Sequence, residues 1–179
     1  MHELMQRLRR DHRNLNRLFD MLEEQVARYD MDSTIEPALL LILDIIAYLN
    51  DYPRIYHHPL EEEVIALMVE RDLGDKSANE FIHAQHQKLE QATERLSTLF
   101  NMIVKDQPVP IEQTQEALAS YLEMSRKHLQ AEEDRLFPVM EKVLGNDEWE
   151  LVASRLPEGL DPLFTEDPDD AFVELRRRM

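Results

Sequence analysis

The chain contains no cysteine. Disulfides, thiolate zinc sites and cysteine-held iron–sulfur clusters are excluded, because each needs cysteine sulfur. Glycine is nearly absent, occurring only at positions 74, 145 and 159 of 179 residues. So few glycines among long stretches of good helix formers predict an all-α protein. Long hydrophobic runs are missing as well. The most apolar stretch, residues 38–49, is interrupted by Asp44 and is too short to span a bilayer. Positive charge is scarce: 20 Lys and Arg against 37 Asp and Glu leave a formal net charge of −17. That balance argues against a nucleic-acid partner, which needs a basic face. It also gives no electrostatic reason to sit on an anionic membrane. The arginines at positions 7, 9, 10, 13 and 17 read as a solvated helix face. The N-terminal stretch is charged and amphipathic, unlike a signal peptide, so the expected location is cytoplasmic. No nucleophile motif, phosphate loop or His-Glu-x-x-His is present.

What is present is helical periodicity. Leu4, Leu8, Leu15, Leu18, Leu22 and Val26 step by three, four or seven residues and predict a first helix over about 3–29. Asp32-Ser33-Thr34 reads as a capping turn. A second helix is expected over about 35–71, with Leu39, Ile42, Ile46, Leu49, His57, Glu61, Val64 and Met68 as its stripe. Pro53 and Pro59 predict a kink within it, or a split into two shorter helices. Leu73-Gly74-Asp75 is the next break. The third helix, about 76–105, carries Phe81, Ile82, Leu89, Leu96, Leu99 and Ile103, and Gln107 to Pro110 ends it. The fourth, about 111–144, carries Leu118, Leu122, Ser125, Leu129, Glu132, Leu136, Val139 and Val143. Short connections imply antiparallel neighbours. Residues 1–144 are thus expected to form an up-down-up-down four-helix bundle. Residues 145–179 are expected to form a C-terminal extension: a short helix with Trp149, an acidic proline-rich strap over 157–170 and a last turn near 172–178. The apolar face of this extension is open to two readings, a cover for the bundle or a contact in a homodimer.

Two stretches share one chemical pattern. His57-His58-Pro59-Leu60-Glu61-Glu62 and His128-Leu129-Gln130-Ala131-Glu132-Glu133 each place a histidine four residues before a carboxylate. Positions i and i+4 lie on one helix face, one turn apart, so both side chains can reach one ion. His12 fills the missing step between Leu8 and Leu15, and His86 the step between Ile82 and Leu89, so both point inward. Four histidines and two glutamates on inner faces are a heavy burden for a plain core, since unpartnered buried polar groups cost a few kcal/mol each. A metal removes the burden by ligation. Imidazole with carboxylate suits iron, manganese or zinc, and six ligands exceed the needs of one tetrahedral zinc. The candidate ligands are therefore His12, His57, Glu61, His86, His128 and Glu132. The pair His58/Glu62 has the same spacing as His57/Glu61. The pair at 57 and 61 is preferred, because His57 continues Ile46 and Asn50 at helical steps. His83 lies one turn before His86 among polar neighbours and is a further candidate.

As a set, Asp11-His12 with Leu15, His57-x-x-x-Glu61, His86 with Leu89, and His128-x-x-x-Glu132 followed by Leu136-Phe137-Pro138 resemble the hemerythrin-like family, also called the hemerythrin HHE cation-binding domain. The resemblance covers about residues 3–144. It implies an oxo- or hydroxo-bridged pair of iron ions, with Glu61 and Glu132 bridging and the histidines as terminal ligands. Oxygen-carrying hemerythrins supply two histidines, four residues apart, on the third helix. Here the position four before His86 is Ile82, which leaves His83 or His58 to complete the set. Loss of one terminal ligand would favour sensing, redox chemistry or iron handling over reversible oxygen carriage.

The expected function is that of a non-haem di-iron protein that binds, senses or detoxifies O2, NO or peroxide, or handles iron. Its partners would then be a small diatomic ligand or peroxide. A di-iron peroxidase or an iron–sulfur-cluster repair protein is the enzymatic alternative. A ferritin-like oxidase would need two Glu-x-x-His motifs, and only Glu80 to His83 has that form. A helical interaction module with an empty or zinc-bound site completes the alternatives.

Overall fold

The computed structural model describes residues 2–31, 36–73, 76–156, 159, 161–165 and 169–179. Helix α1 spans Glu3–Met31. Its expected stripe is buried along its length, from Leu4 through Val26. Helix α2, Glu36–Tyr52, runs into one wide π turn, Pro53–His57, and continues as α3, His58–Glu70. Helix α4 spans Lys76–Val104 and α5 spans Ile111–Ala131. A second π turn, Glu132–Leu136, joins α5 to α6, Phe137–Val143. The expected turns at 32–34 and 74–75 fall outside the described residues.

Proline explains both wide turns. Pro59 and Pro138 each sit at the second position of the helix that follows. A proline lacks the N–H that an α-helix sends back four residues, and its ring collides with that carbonyl. The chain widens by one residue just before each proline. His58 donates its N–H five residues back to Pro53, and Phe137 donates to Glu132 in the same way. The helices bend here without breaking.

Each extra residue shifts the register. The sequence predicts Leu136, Val139 and Val143 facing inward after Glu132. Phe137, Met140 and Leu144 are buried instead, one position further on, and Val139 is 39% exposed. Phe81 departs from expectation too, lying 59% exposed while Ile82 alone faces the core.

Helix α1 packs against α2 and α5, and α4 packs against the same two. Consecutive long helices are therefore neighbours around a ring, which is the up-down-up-down bundle. Two apolar clusters fill it. One is built on Leu15, Leu18, Leu22, Ile42, Leu96 and Phe100. The other is built on Leu4, Leu8, Leu60, Leu67, Phe137 and Met140. Along α1 the second cluster ends at Leu8 and the first begins at Leu15, with Asp11 and His12 between them. A buried polar layer thus divides the core.

The extension covers the bundle. Helix α7, Asn146–Arg155, starts where the Gly145 N–H donates to the Glu148 carboxylate at 2.9 Å. Its Trp149 and Val152 join the cluster beneath the polar layer. After one tight turn at Asp170–Phe172, helix α8, Val173–Arg178, packs on α2. Leu163 and Leu175 are fully buried in the cluster above the layer. Among the described residues, no helix is long and apolar enough to cross a membrane.

Candidate metal centre

The polar layer is assembled from all four long helical segments. α1 carries His12 and α4 carries His86. His57 and His58 are the last residue of the first π turn and the first of α3. Successive residues of a regular helix point about 100° apart, so one of them would ordinarily face aside. At the wide turn both are buried. Glu61 follows His57 by one turn, and Glu132 follows His128 likewise.

The Nε2 atoms of four histidines converge on the two carboxylates. His12 Nε2 lies 3.7 Å from Glu61 Oε1 and 3.4 Å from Glu132 Oε2. His57 Nε2 lies 3.5 Å from Glu61 Oε1. His86 Nε2 lies 3.4 Å from Glu61 Oε2 and 3.7 Å from Glu132 Oε1. His128 Nε2 lies 3.1 Å from Glu132 Oε1. His58 stacks flat on His86, with ring centroids 3.9 Å apart.

The far nitrogens of His57, His58, His86 and His128 have hydrogen-bond partners, and that of His12 stands at ion-pair distance from a carboxylate. His57 Nδ1 meets Asp11 at 3.3 Å, and His12 Nδ1 meets Glu133 at 3.2 Å. His58 Nδ1 meets Glu90 at 3.4 Å, His86 Nδ1 meets Glu62 at 3.0 Å, and His128 Nδ1 meets the Gln85 amide oxygen at 3.0 Å. Each acceptor favours a proton on Nδ1 and turns Nε2 inward, where it offers a lone pair whenever the ring is neutral. That is the arrangement by which outer groups orient metal-binding imidazoles. Glu133 is held in turn by Arg9, and Phe137 stacks on His12 at 4.7 Å.

The inner atoms have no such partners. Among the described residues, the buried side-chain atoms lacking a hydrogen bond belong to His12, His57, Glu61, His86, His128 and Glu132. Burial alone would lower the basicity of His12 and His86. The facing carboxylates of Glu132 and Glu61, 3.4–3.7 Å away, outweigh it and lift His12 to about 9 and His86 to about 11. Burial pushes His58 down to about 4, and it lowers His128. Glu61 is buried but held well below the usual carboxylate range by the neighbouring histidines, His57 first. The hydrogen bond from His86 lowers Glu62 to about 2.

Three overlapping groups have ligand atoms within 4.8 Å of one another: His12, His57, Glu61 and Glu132; Glu61, His86, His128 and Glu132; and His58, His86 and His128. The six candidates expected from the sequence are thus brought together, and His58 joins them. Glu62 stands behind His86 and also contacts His83 at 2.9 Å. His83 itself has a side chain 54% exposed and lies outside all three groups. Sequence reasoning missed the outer partners. Asp11 is adjacent to His12 yet serves His57 on another helix. Glu90, Gln85 and Glu133 carry no spacing signal beyond their nearness to a histidine.

Beside the layer lies a small cavity of about 30 Å³, part of it open to solvent. His57, His58 and His128 form its floor, and Asn50, Arg54 and Glu90 stand at its polar side. Leu15, Phe19 and Leu129 supply apolar wall.

Five imidazoles and two carboxylates, six of them with inner atoms lacking a hydrogen bond, fit one or two ions of the iron, manganese or zinc type. A search of curated proteins finds no match to the chain. The sequence model of the Hemerythrin HHE cation binding domain matches residues 4–140, and a second, overlapping match covers 77–158. The buried His/Glu layer and this match over most of the chain agree, and the protein belongs to the hemerythrin HHE cation-binding domain family.

Proposed function

We propose that this chain is a cytoplasmic non-haem di-iron protein that takes O2, NO or peroxide at its buried centre. In this reading Glu61 and Glu132 would belong to both ligand sets. His12 and His57 complete one set, and His58, His86 and His128 complete the other. Residues 1–144 carry the centre and residues 145–179 cover it. The observation that supports the reading best is the convergence of unpartnered atoms: five Nε2-bearing rings and two carboxylates in one dry layer, with the inner atoms of six of these residues lacking any partner.

The division of donors matters. One set has three imidazoles and the other has two, so the second leaves more room for an outside ligand. Iron bound there would supply one-electron redox chemistry and affinity for small oxygen- and nitrogen-containing ligands. The protein's own part is orientation and exclusion. Asp11, Glu133, Glu90, Glu62 and Gln85 keep the lone pairs aimed inward. The apolar clusters above and below keep bulk water away. The cavity at His57, His58 and His128 offers a route for a small molecule and none for a bulky substrate.

Iron per chain, measured with the visible spectrum on protein from iron-replete cells, tests the reading. About two irons with absorption of an oxo-bridged ferric pair are expected, as is a spectral change when the ferrous form meets O2, NO or peroxide. No iron after anaerobic ferrous reconstitution, or inertness to all three ligands, would overturn it.

A further inference from the structure

Three buried hydroxyls stand where the apolar pattern calls for carbon. Thr93 falls between Leu89 and Leu96 on the inner face of α4. Ser125 falls between Leu122 and Leu129 on the inner face of α5, and Tyr121 lies one turn before it. All three are buried. The Tyr121 ring packs edge-on against Phe19 at 5.9 Å, a contact that a phenylalanine would make equally well. Its hydroxyl has the hydroxyls of Thr93 and Ser125 as neighbours. Thr93 donates its own proton to the Leu89 carbonyl at 2.8 Å. A hydroxyl brings one proton and two lone pairs. With the Thr93 proton committed, the trio has more lone pairs than protons to fill them. Burying such groups costs free energy unless a partner meets them. All three line one cavity, and His57, His58 and His128 line it too. Ser125 stands three residues before His128, about 4.5 Å along the helix axis.

We propose that this cavity is a waiting site for hydrogen peroxide, held on the hydroxyls of Tyr121, Thr93 and Ser125, and that it makes the centre selective for peroxide over O2 and NO. The proposal rests on the di-iron reading above and narrows its ligand. Size agrees first. A water needs about 10–15 Å³ of such space. The cavity offers about 30 Å³, which suits a molecule of two oxygens and excludes a bulky alkyl hydroperoxide. Hydrogen bonding agrees next. Surplus lone pairs call for a ligand that donates as well as accepts. Peroxide carries an O–H on each oxygen and lone pairs on both, so it replaces a pair of waters bond for bond. O2 and NO have no proton to donate and accept weakly. To enter, they would displace water from hydroxyls whose bonds they cannot restore, and such displacement loses affinity. Leu15, Phe19 and Leu129 offer no hydrogen bond beside the trio, so the hydroxyls fix where the polar ligand rests.

The test uses the full chain with its iron counted, and it has two readouts. A high-resolution crystal structure should show water bonded to the Tyr121 hydroxyl and to Thr93 or Ser125. Stopped-flow mixing of the ferrous protein with hydrogen peroxide, and separately with NO, gives the ratio of the two response rates. Tyr121→Phe keeps the ring and removes the hydroxyl. It should lower the ratio about five- to tenfold, the loss expected for one hydrogen bond. Ser125→Ala should lower it in the same direction, and this smaller change decides where Tyr121→Phe loads less iron than wild type. A merely structural role would slow both responses together and leave the ratio alone. An unchanged ratio in iron-loaded variants, or a cavity with no water on Tyr121, would overturn the waiting site. Iron present with an unchanged ratio sinks the waiting site alone. No iron sinks the di-iron reading and the selectivity with it.

Discussion

Raising the pH of metal-free protein from 6.5 to 9 should destabilise it, and iron loading should abolish the effect. Without metal, the inner layer is balanced by protons. His12 and His86 are drawn to the Glu61 and Glu132 carboxylates strongly enough to overcome burial, and their pKa values rise from 6.5 to about 9 and about 11. A group whose folded pKa is raised contributes stability that is complete below its unfolded value and is lost as pH climbs through the folded one. The window is therefore pH 6.5 to 9 for His12, with His86 continuing beyond it. For His12 the span corresponds to about 3 kcal/mol. Four other groups of the layer add little in that window. Glu61 and Glu132 are lowered, so their contributions are constant above the ordinary carboxylate range. His58 and His128 are lowered and already neutral there. In a domain of this size, about 3 kcal/mol from His12 alone corresponds to a fall in Tm of roughly 6–12 °C, and His86, losing its proton's contribution through the same window, deepens it. Urea and thermal melts in chelator at both pH values, beside iron-loaded protein, measure it. A metal ion takes the inner lone pairs in place of protons, so the loaded protein should show little change over the same range. Metal-free stability that is flat or rises with pH would refute the proton-balanced layer.

Four further outcomes follow from the same geometry. Loading metal at pH 7 should release protons from His12 and His86, seen as base uptake in a pH-stat, and no release would contradict the raised affinities. Asp11→Asn should weaken metal binding by about 10–100-fold, because the carboxylate behind His57 becomes an amide. His83→Ala, with its exposed ring, should leave metal content unchanged in the same titration. Phe137→Ala should cost about 3–5 kcal/mol in urea unfolding, since its fully buried ring packs in the lower cluster and stacks on His12; a cost below about 1 kcal/mol would mean that the cluster re-closes.

The long helices were legible because they are amphipathic and nearly free of glycine. The six residues of the inner layer were legible because imidazoles and carboxylates interrupted apolar stripes at helical steps. The reading failed where helical arithmetic fails. It carried Val139 into the core by counting regular turns, and the second π turn moved the buried face to Met140. The same counting made His57 and His58 alternatives, whereas the first π turn buries both. The prolines announced a bend but not an added residue. The outer partners were illegible for another reason: Asp11, Glu90 and Gln85 meet histidines on other helices, and no local pattern encodes those pairings. Nor did the sequence reveal Tyr48 meeting Asp161, a contact across more than a hundred residues.

The wide turns also decide what kind of genetic change this protein tolerates. A substitution within Arg54–Tyr56 alters one side chain on a largely exposed arc. A deletion of one residue there would let the helix close into regular turns. The segment beyond would then keep its facing, because the wide turn had only absorbed the extra residue. A deletion of one residue in the regular part of α2 would instead turn everything beyond it by about 100°, and His57 and Glu61 would swing away from the carboxylate and imidazoles they face, although every ligand would still be encoded. The centre is specified by residue number as much as by residue type, and a substitution scan would pass over that half of the specification.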